Sequence, residues 1–245
     1  MKRLAGRNAL VTGGAVRVGR TLSLRLAALG ADLALLAREE TEAAADTARE
    51  IAALGVRAVV VAGDLLSAET PARAIAEATA ALGPVDILVN NAAIFESGDL
   101  ADLDLDAWSR MQRINLRAPL LLARDFADAL PEGRAGDIVN LNDIHALRPR
   151  GDYFAYTHSK AALHALTRNL AVALAPRVRV NEIALGAVLP PAAPPDGYGH
   201  TERGDLPLDR FPTPDDAADA LEFLLTCRAV TGQTIMIDSG EHLGG

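Results

Sequence analysis

Aromatic residues are scarce, at 4% of the chain, so any core has to be assembled from Ala, Leu and Val. Cysteine is nearly absent. Cys227, with no His or second Cys beside it in "EFLLTC", cannot form an internal disulfide and reads as a small buried hydrophobe, not a metal ligand. Positive charge is in deficit, with 24 Lys and Arg against 32 Asp and Glu, a net charge of -8 and a pI near 5.1. That balance excludes a nucleic-acid or anionic-membrane partner and favours a small-molecule substrate. Apolar runs fall short of the roughly 20 residues a spanning helix needs, and "MKRLAGRNALVTGG" is too polar for a signal peptide. The expected compartment is the cytoplasm.

What is present is a rhythm. Half of the 245 residues are hydrophobic, enough for one large α/β domain over residues 1–245. Short apolar runs ("NALVT", "DLALL", "RAVVVA", "DILVN") alternate with stretches of helical period at 17–29, 39–54, 67–82 and 104–130. "DIVNL", a helix over 154–175, "VRVNEIA", a helix over 214–226 and "TIMID" continue the series. This pattern predicts a doubly wound parallel sheet of seven strands with helices on both faces. Residues 186–214 break it, because their prolines and glycines forbid a long helix or central strand. Leaving the carboxyl end of a predicted strand, where open α/β sheets place ligands, this segment is expected to be a lid.

"VTGGAVRVGR" sits between the first strand and first helix, where glycine permits a tight turn and free helix N–H groups can face a pyrophosphate. Its Gly13, Arg17 and Gly19 depart from the G-x-G-x-x-G pattern. The second strand ends in Arg38 where a ribose-binding acid would otherwise stand, so a 2′-phosphate, and hence NADP(H) over NAD(H), is expected. Asp64 either accepts from the adenine amino group or caps the following helix. Asn90 and Asn91 can tie neighbouring strand ends and line a nucleotide. Tyr156 and Lys160, four apart, would share one helix face, which suits a proton donor and its tuner.

In order and spacing, "VTGG", "VNNAA", "RINLRAP", "YTHSK" and "VTGQTIMIDSG" resemble the short-chain dehydrogenase/reductase family over almost the whole chain. The resemblance implies a single Rossmann-like domain, a nicotinamide cofactor and a homotetramer. It implies that Tyr156 is the general acid, that Lys160 binds the nicotinamide ribose and lowers the tyrosine pKa, and that Asn115 holds a relay water. Cofactor contacts are expected from Gly13, Arg17, Val18, Gly19, Arg38, Asp64, Leu65, Asn91, Ala92, Tyr156, Lys160 and Gly186. No metal site is expected.

Asp143 stands where most of the family has Ser. With Arg17 in the phosphate turn and Phe95 after the Asn pair, it resembles the pteridine reductases and the bacterial dihydromonapterin and dihydrofolate reductases of that family. That likeness implies a substrate site of Arg17, Phe95, Asp143 and Tyr156. Arg17 would bridge phosphate and pterin, Phe95 would stack a flat ring, and Asp143 would be a second acid. Ala93, Asn142, Leu185 and Ser239 depart from the usual residues of the pattern. Two alternatives stand beside the pterin reading: an NADP-dependent reductase of ketones, sugars or 3-oxoacyl thioesters, and a non-catalytic NADP sensor.

Overall fold

The computed structural model describes residues 2–190 and 202–244. Seven parallel strands, β1 (Asn8–Thr12), β2 (Asp32–Ala37), β3 (Ala58–Ala62), β4 (Ile87–Asn90), β5 (Gly136–Asp143), β6 (Val178–Leu185) and β7 (Thr234–Ile237), form one sheet in the order 3-2-1-4-5-6-7. The expected α/β architecture is present. Successive side chains of each strand enter opposite faces, so two aliphatic cores form. Ala9, Val11, Leu33, Leu35, Ile87 and Val89 pack beneath α1 (Arg17–Ala28), α2 (Glu42–Ala53) and α7 (Pro214–Thr226). Leu10, Ala34, Leu36 and Leu88 pack beneath α3 (Thr70–Leu82), α5 (Ala118–Ala129) and α6 (Phe154–Ala173). Phe126, fully buried, is the one large aromatic in these two layers.

The predicted helix over 104–130 is divided. It comprises α4 (Leu105–Gln112), a π-helical turn over Arg113–Arg117 and α5. Pro119 supplies the physical reason: it has no N–H to give to the carbonyl of Asn115 four residues back, and the chain takes the wider i→i+5 register, with Ala118 N–H donating to Arg113 O. The predicted start of α2 moves from 39 to Glu42, where Thr41 caps the helix by accepting from Ala44 N at 3.2 Å. β5 extends beyond "DIVNL" to Asp143, so that carboxylate sits on the last residue of a strand.

Strand order reverses between β1 and β4, which opens a crevice at the carboxyl edge of the sheet. At the amino edge the reverse holds. Arg7, ahead of β1, donates to Asp86 at 2.9 Å and to Asp137 at 2.6 Å, and Arg134 also bonds Asp86. This buried charge network ties β1, β4 and β5 together at the end away from the crevice. Of the segment 186–214, residues 191–201 lie outside the described residues, and the central part of the expected lid falls on them. Among the described residues no helix is long and apolar enough to cross a membrane.

Candidate active site

A cavity of about 500 Å³ occupies the crevice. Its first wall is the β1–α1 turn. Gly13 adopts φ +61°, and a Cβ on Gly19 would lie 2.1 Å from Gly13 O, so neither position has room for an ordinary side chain. Asn91 braces this turn: Nδ2 donates to Thr12 O at 2.9 Å and Gly13 O at 3.1 Å, while Thr12 Oγ1 accepts from the amides of Asn91 and Ala92. The strand-tying role read from the Asn pair is therefore present. α1 starts at Arg17 with no side-chain cap from Val16, so its first N–H groups face the cavity without a capping partner.

Arg17 has φ +54°, a left-handed conformation that a non-glycine residue holds at a strain of roughly 1 kcal/mol or more. Its guanidinium donates to Pro190 O, linking the phosphate turn to the start of the segment after β6. A glycine would relieve the strain and lose that reach.

Arg38 lines the far end of the cavity, its side chain 76% exposed and its Nε 3.6 Å from Glu39 Oε1. Asp64 Oδ1 accepts from Leu66 N at 2.8 Å and closes a local turn; it does not cap the following helix, which starts at Thr70 behind Glu69. Val18, Leu65, Ala92 and Gly186 also line the cavity, so every residue expected to touch the cofactor meets there. The glycine cradle, uncapped helix start and two cations fit a phosphorylated dinucleotide.

At the other end, Tyr156 Oη donates to Asp143 Oδ2 at 2.8 Å, and Asp143 Oδ1 accepts from His145 N at 2.8 Å. Lys160 Nζ lies 5.8 Å from the Tyr156 ring centre and donates to Leu141 O at 3.0 Å. Asn142, an unexpected contributor, donates to Lys160 O at 3.1 Å and fixes α6 against β5. Burial pushes the Lys160 ammonium below its ordinary value of 10.5, while the negative charges of Asp143 and Glu182 oppose that fall.

Two expected site residues do not line the cavity. The Asn115 side chain bonds both backbone groups of Ile94, at 2.9 and 3.0 Å, and Ser159 Oγ at 3.0 Å, so its amide braces the β4 loop. Phe95 is not among the residues lining the cavity. It stacks on Tyr153 with centres 4.6 Å apart and meets Tyr156 edge-on at 4.7 Å. Leu185 and, beyond the residues the motifs singled out, Leu36, Ile94, Ile114, Val188 and Leu189 form apolar walls. Apart from Ile114, in the π turn, their one signal was position at the carboxyl ends of strands and the loops that follow.

The family model described as Enoyl-(Acyl carrier protein) reductase matches residues 14–242. The chain belongs to the short-chain dehydrogenase/reductase family and is a nicotinamide-dependent oxidoreductase. Among solved structures it is similar to FolM alternative dihydrofolate reductase 1 from Brucella canis complexed with NADP, with 36% identity, a TM-score of 0.90, and coverage of 99% of this chain and 97% of that one. It is also 32% identical to an L-rhamnose 1-dehydrogenase (NAD(P)(+)) of Sphingomonas sp., over 99% of each chain. An L-xylulose reductase of Bos taurus is 34% identical over 97% of each.

Proposed function

We propose that this protein is an NADPH-dependent reductase of a dihydropterin or dihydrofolate C=N bond. The observation that carries the reading is the 2.8 Å hydrogen bond from Tyr156 Oη to Asp143 Oδ2 in the cavity that also holds Arg17. A ketone needs one proton donor beside its oxygen. A pterin presents several ring nitrogens and an amino group, and a phenol–carboxylate pair can both donate a proton and accept an N–H.

NADP(H) is the cofactor, held by the Gly13–Gly19 turn at its phosphates and by Arg38 at the 2′-phosphate. Bound there, NADPH supplies the hydride. The protein's part is placement and proton management. Tyr156 gives its proton to the substrate nitrogen, and Lys160, held by Leu141 O and Asn142, stabilises the phenolate left behind. A proton taken from solvent passes through Asp143 along their shared hydrogen bond and restores the Tyr156 hydroxyl. A relay water rests on the main-chain carbonyl of Asn115, whose ordinary helical donor Pro119 removes. Phe95 buttresses Tyr156, and the pterin packs beside its edge instead of over its face. The similarity to FolM alternative dihydrofolate reductase 1 supports this reading.

A reductase or dehydrogenase of sugars is the second reading. It is favoured by Tyr153 already covering one side of Phe95, and by the L-rhamnose and L-xylulose enzymes among the relatives. The deciding experiment is NADPH oxidation at 340 nm with dihydrobiopterin, dihydromonapterin and dihydrofolate beside a sugar and ketone panel. Turnover on a pterin and little on the panel supports the first reading, and the opposite pattern the second. A homotetramer in the cytoplasm completes the proposal; gel filtration at the mass of one chain would contradict the assembly.

A further inference from the structure

Tyr156, Lys160, His164 and Thr167 recur at helical spacing on α6, so a polar stripe runs down the face turned to β5 and β6. On β6, Val178 and Val180 fill the apolar layer beneath this helix, and the next position of the same face is Glu182. Its side chain is fully buried in the middle of the sheet. Burying a carboxylate is strongly unfavourable unless it is paired, and this one has a polar side chain against each oxygen, although Thr167 also reaches Leu163 O at 3.0 Å. His164 Nδ1 lies 3.0 Å from Oε1, Thr234 Oγ1 donates to Oε1 at 3.1 Å, and Thr167 Oγ1 lies 3.1 Å from Oε2. Since a carboxylate only accepts, His164 carries its hydrogen on Nδ1. Thr167 in turn accepts from Asn140, the β5 residue registered opposite Glu182.

None of this touches the cavity, and none of it is needed to close the sheet, where a third valine would pack as Val178 and Val180 do. What it adjoins is Lys160, one turn along α6 from His164 and bonded to the carbonyl of Leu141, the residue after Asn140. Lys160 is itself buried, 4% exposed, and its hydrogen-bond partner there is a neutral carbonyl. The other carboxylate acting on it, Asp143, is bonded to Tyr156, where its negative charge opposes formation of the phenolate that Lys160 must stabilise.

We propose that Glu182 is a positioning residue for the reaction: a buried counter-charge, oriented by His164 and Thr234, that keeps Lys160 cationic. The arrangement leaves Asp143 free to pass solvent protons to Tyr156 without Lys160 losing its ammonium form. The ionisable groups around Lys160 are Tyr156 and His164 of its own helix, Asp143 of β5 and Glu182 of β6. In the π turn Arg113 is exposed and Arg117 donates to Leu66 O, while the His145 ring turns to Arg148 O. Burial and the two carboxylates act on the lysine in opposite directions, as noted above. The inference rests on the catalytic reading of Lys160 and not on the identity of the substrate.

The test is Glu182→Gln, which keeps the shape and removes the charge. Lys160 is followed directly in protein carrying ¹⁵N-lysine, its resonance assigned with Lys160→Arg, and activity is followed as the pH profile of NADPH oxidation on whichever substrate turns over. Lys160 in Glu182→Gln is expected to lose its proton about one pH unit lower than in the parent, with the alkaline limb of the rate profile moving equally. Glu182→Asp restores most of the shift. Should Glu182→Gln fail to fold, the pair Glu182→Met with His164→Leu removes the charge without stranding a half-buried imidazole, and the same shift is expected. A Lys160 titration unmoved in the folded variants, with only thermal stability lowered, overturns the proposal. A lysine titration that moves while the rate profile stays put supports the counter-charge and counts against the catalytic reading alone.

Discussion

The two ends of the cleft are built on opposite principles. The nucleotide end is made of backbone: glycines with no room for a side chain, an uncapped helix start, and strand ends stitched by Asn91 to Thr12 and Gly13. The catalytic end is made of side chains that depend on one another, Tyr156 on Asp143, Lys160 on Leu141 and Asn142, and Asn115 on Ile94 and Ser159. A backbone cradle binds whatever carries phosphates in the right place. A side-chain network sets protonation, and it is there that one residue, Asp in place of Ser, can redirect the chemistry.

The sharpest way to separate the ends is Tyr156→Phe, which deletes the donor while leaving the cradle intact. Turnover should fall by about 100- to 10,000-fold, read by NADPH oxidation at 340 nm. Comparable turnover in the variant would show that the catalytic end works through another acid. Arg38→Ala probes the nucleotide end alone. NADPH should bind about tenfold or more weakly, with NADH affinity unchanged, because a charge-assisted contact to the 2′-phosphate is lost. Equal weakening of both cofactors in a fluorescence titration would remove Arg38 from the phosphate site. The smallest effect belongs to Arg17, which spans both ends. Arg17→Gly relieves the left-handed backbone and should raise the melting temperature by about 2–4 °C, while pterin turnover falls. A lower melting temperature would mean that the bond to Pro190 O outweighs the strain.

The nucleotide end was legible in the sequence because glycines, prolines and strand-end positions carry their meaning locally. All twelve residues expected to touch the cofactor line the one cavity. The sheet was legible for the same reason, since its apolar runs alternate without interruption. What could not be read was contact at a distance. The stacking of Phe95 on Tyr153 joins residues 58 positions apart in the chain. Glu182 looked like one more polar residue in "VRVNEIA" until α6 placed His164 against it. Asp143 was the intermediate case: its identity was visible, and its bond to Tyr156 is what the fold supplied.

The central claim is that Asp143 fits this site to a pterin. It is tested most directly by measuring kcat/KM for dihydrobiopterin and for a ketone in the parent and in Asp143→Ser, at matched NADPH saturation. The account predicts a fall of about 100-fold or more on the pterin together with a gain on the ketone, so that the ratio of the two inverts. An unchanged ratio, or a serine variant that reduces the pterin as well as the parent does, would contradict it.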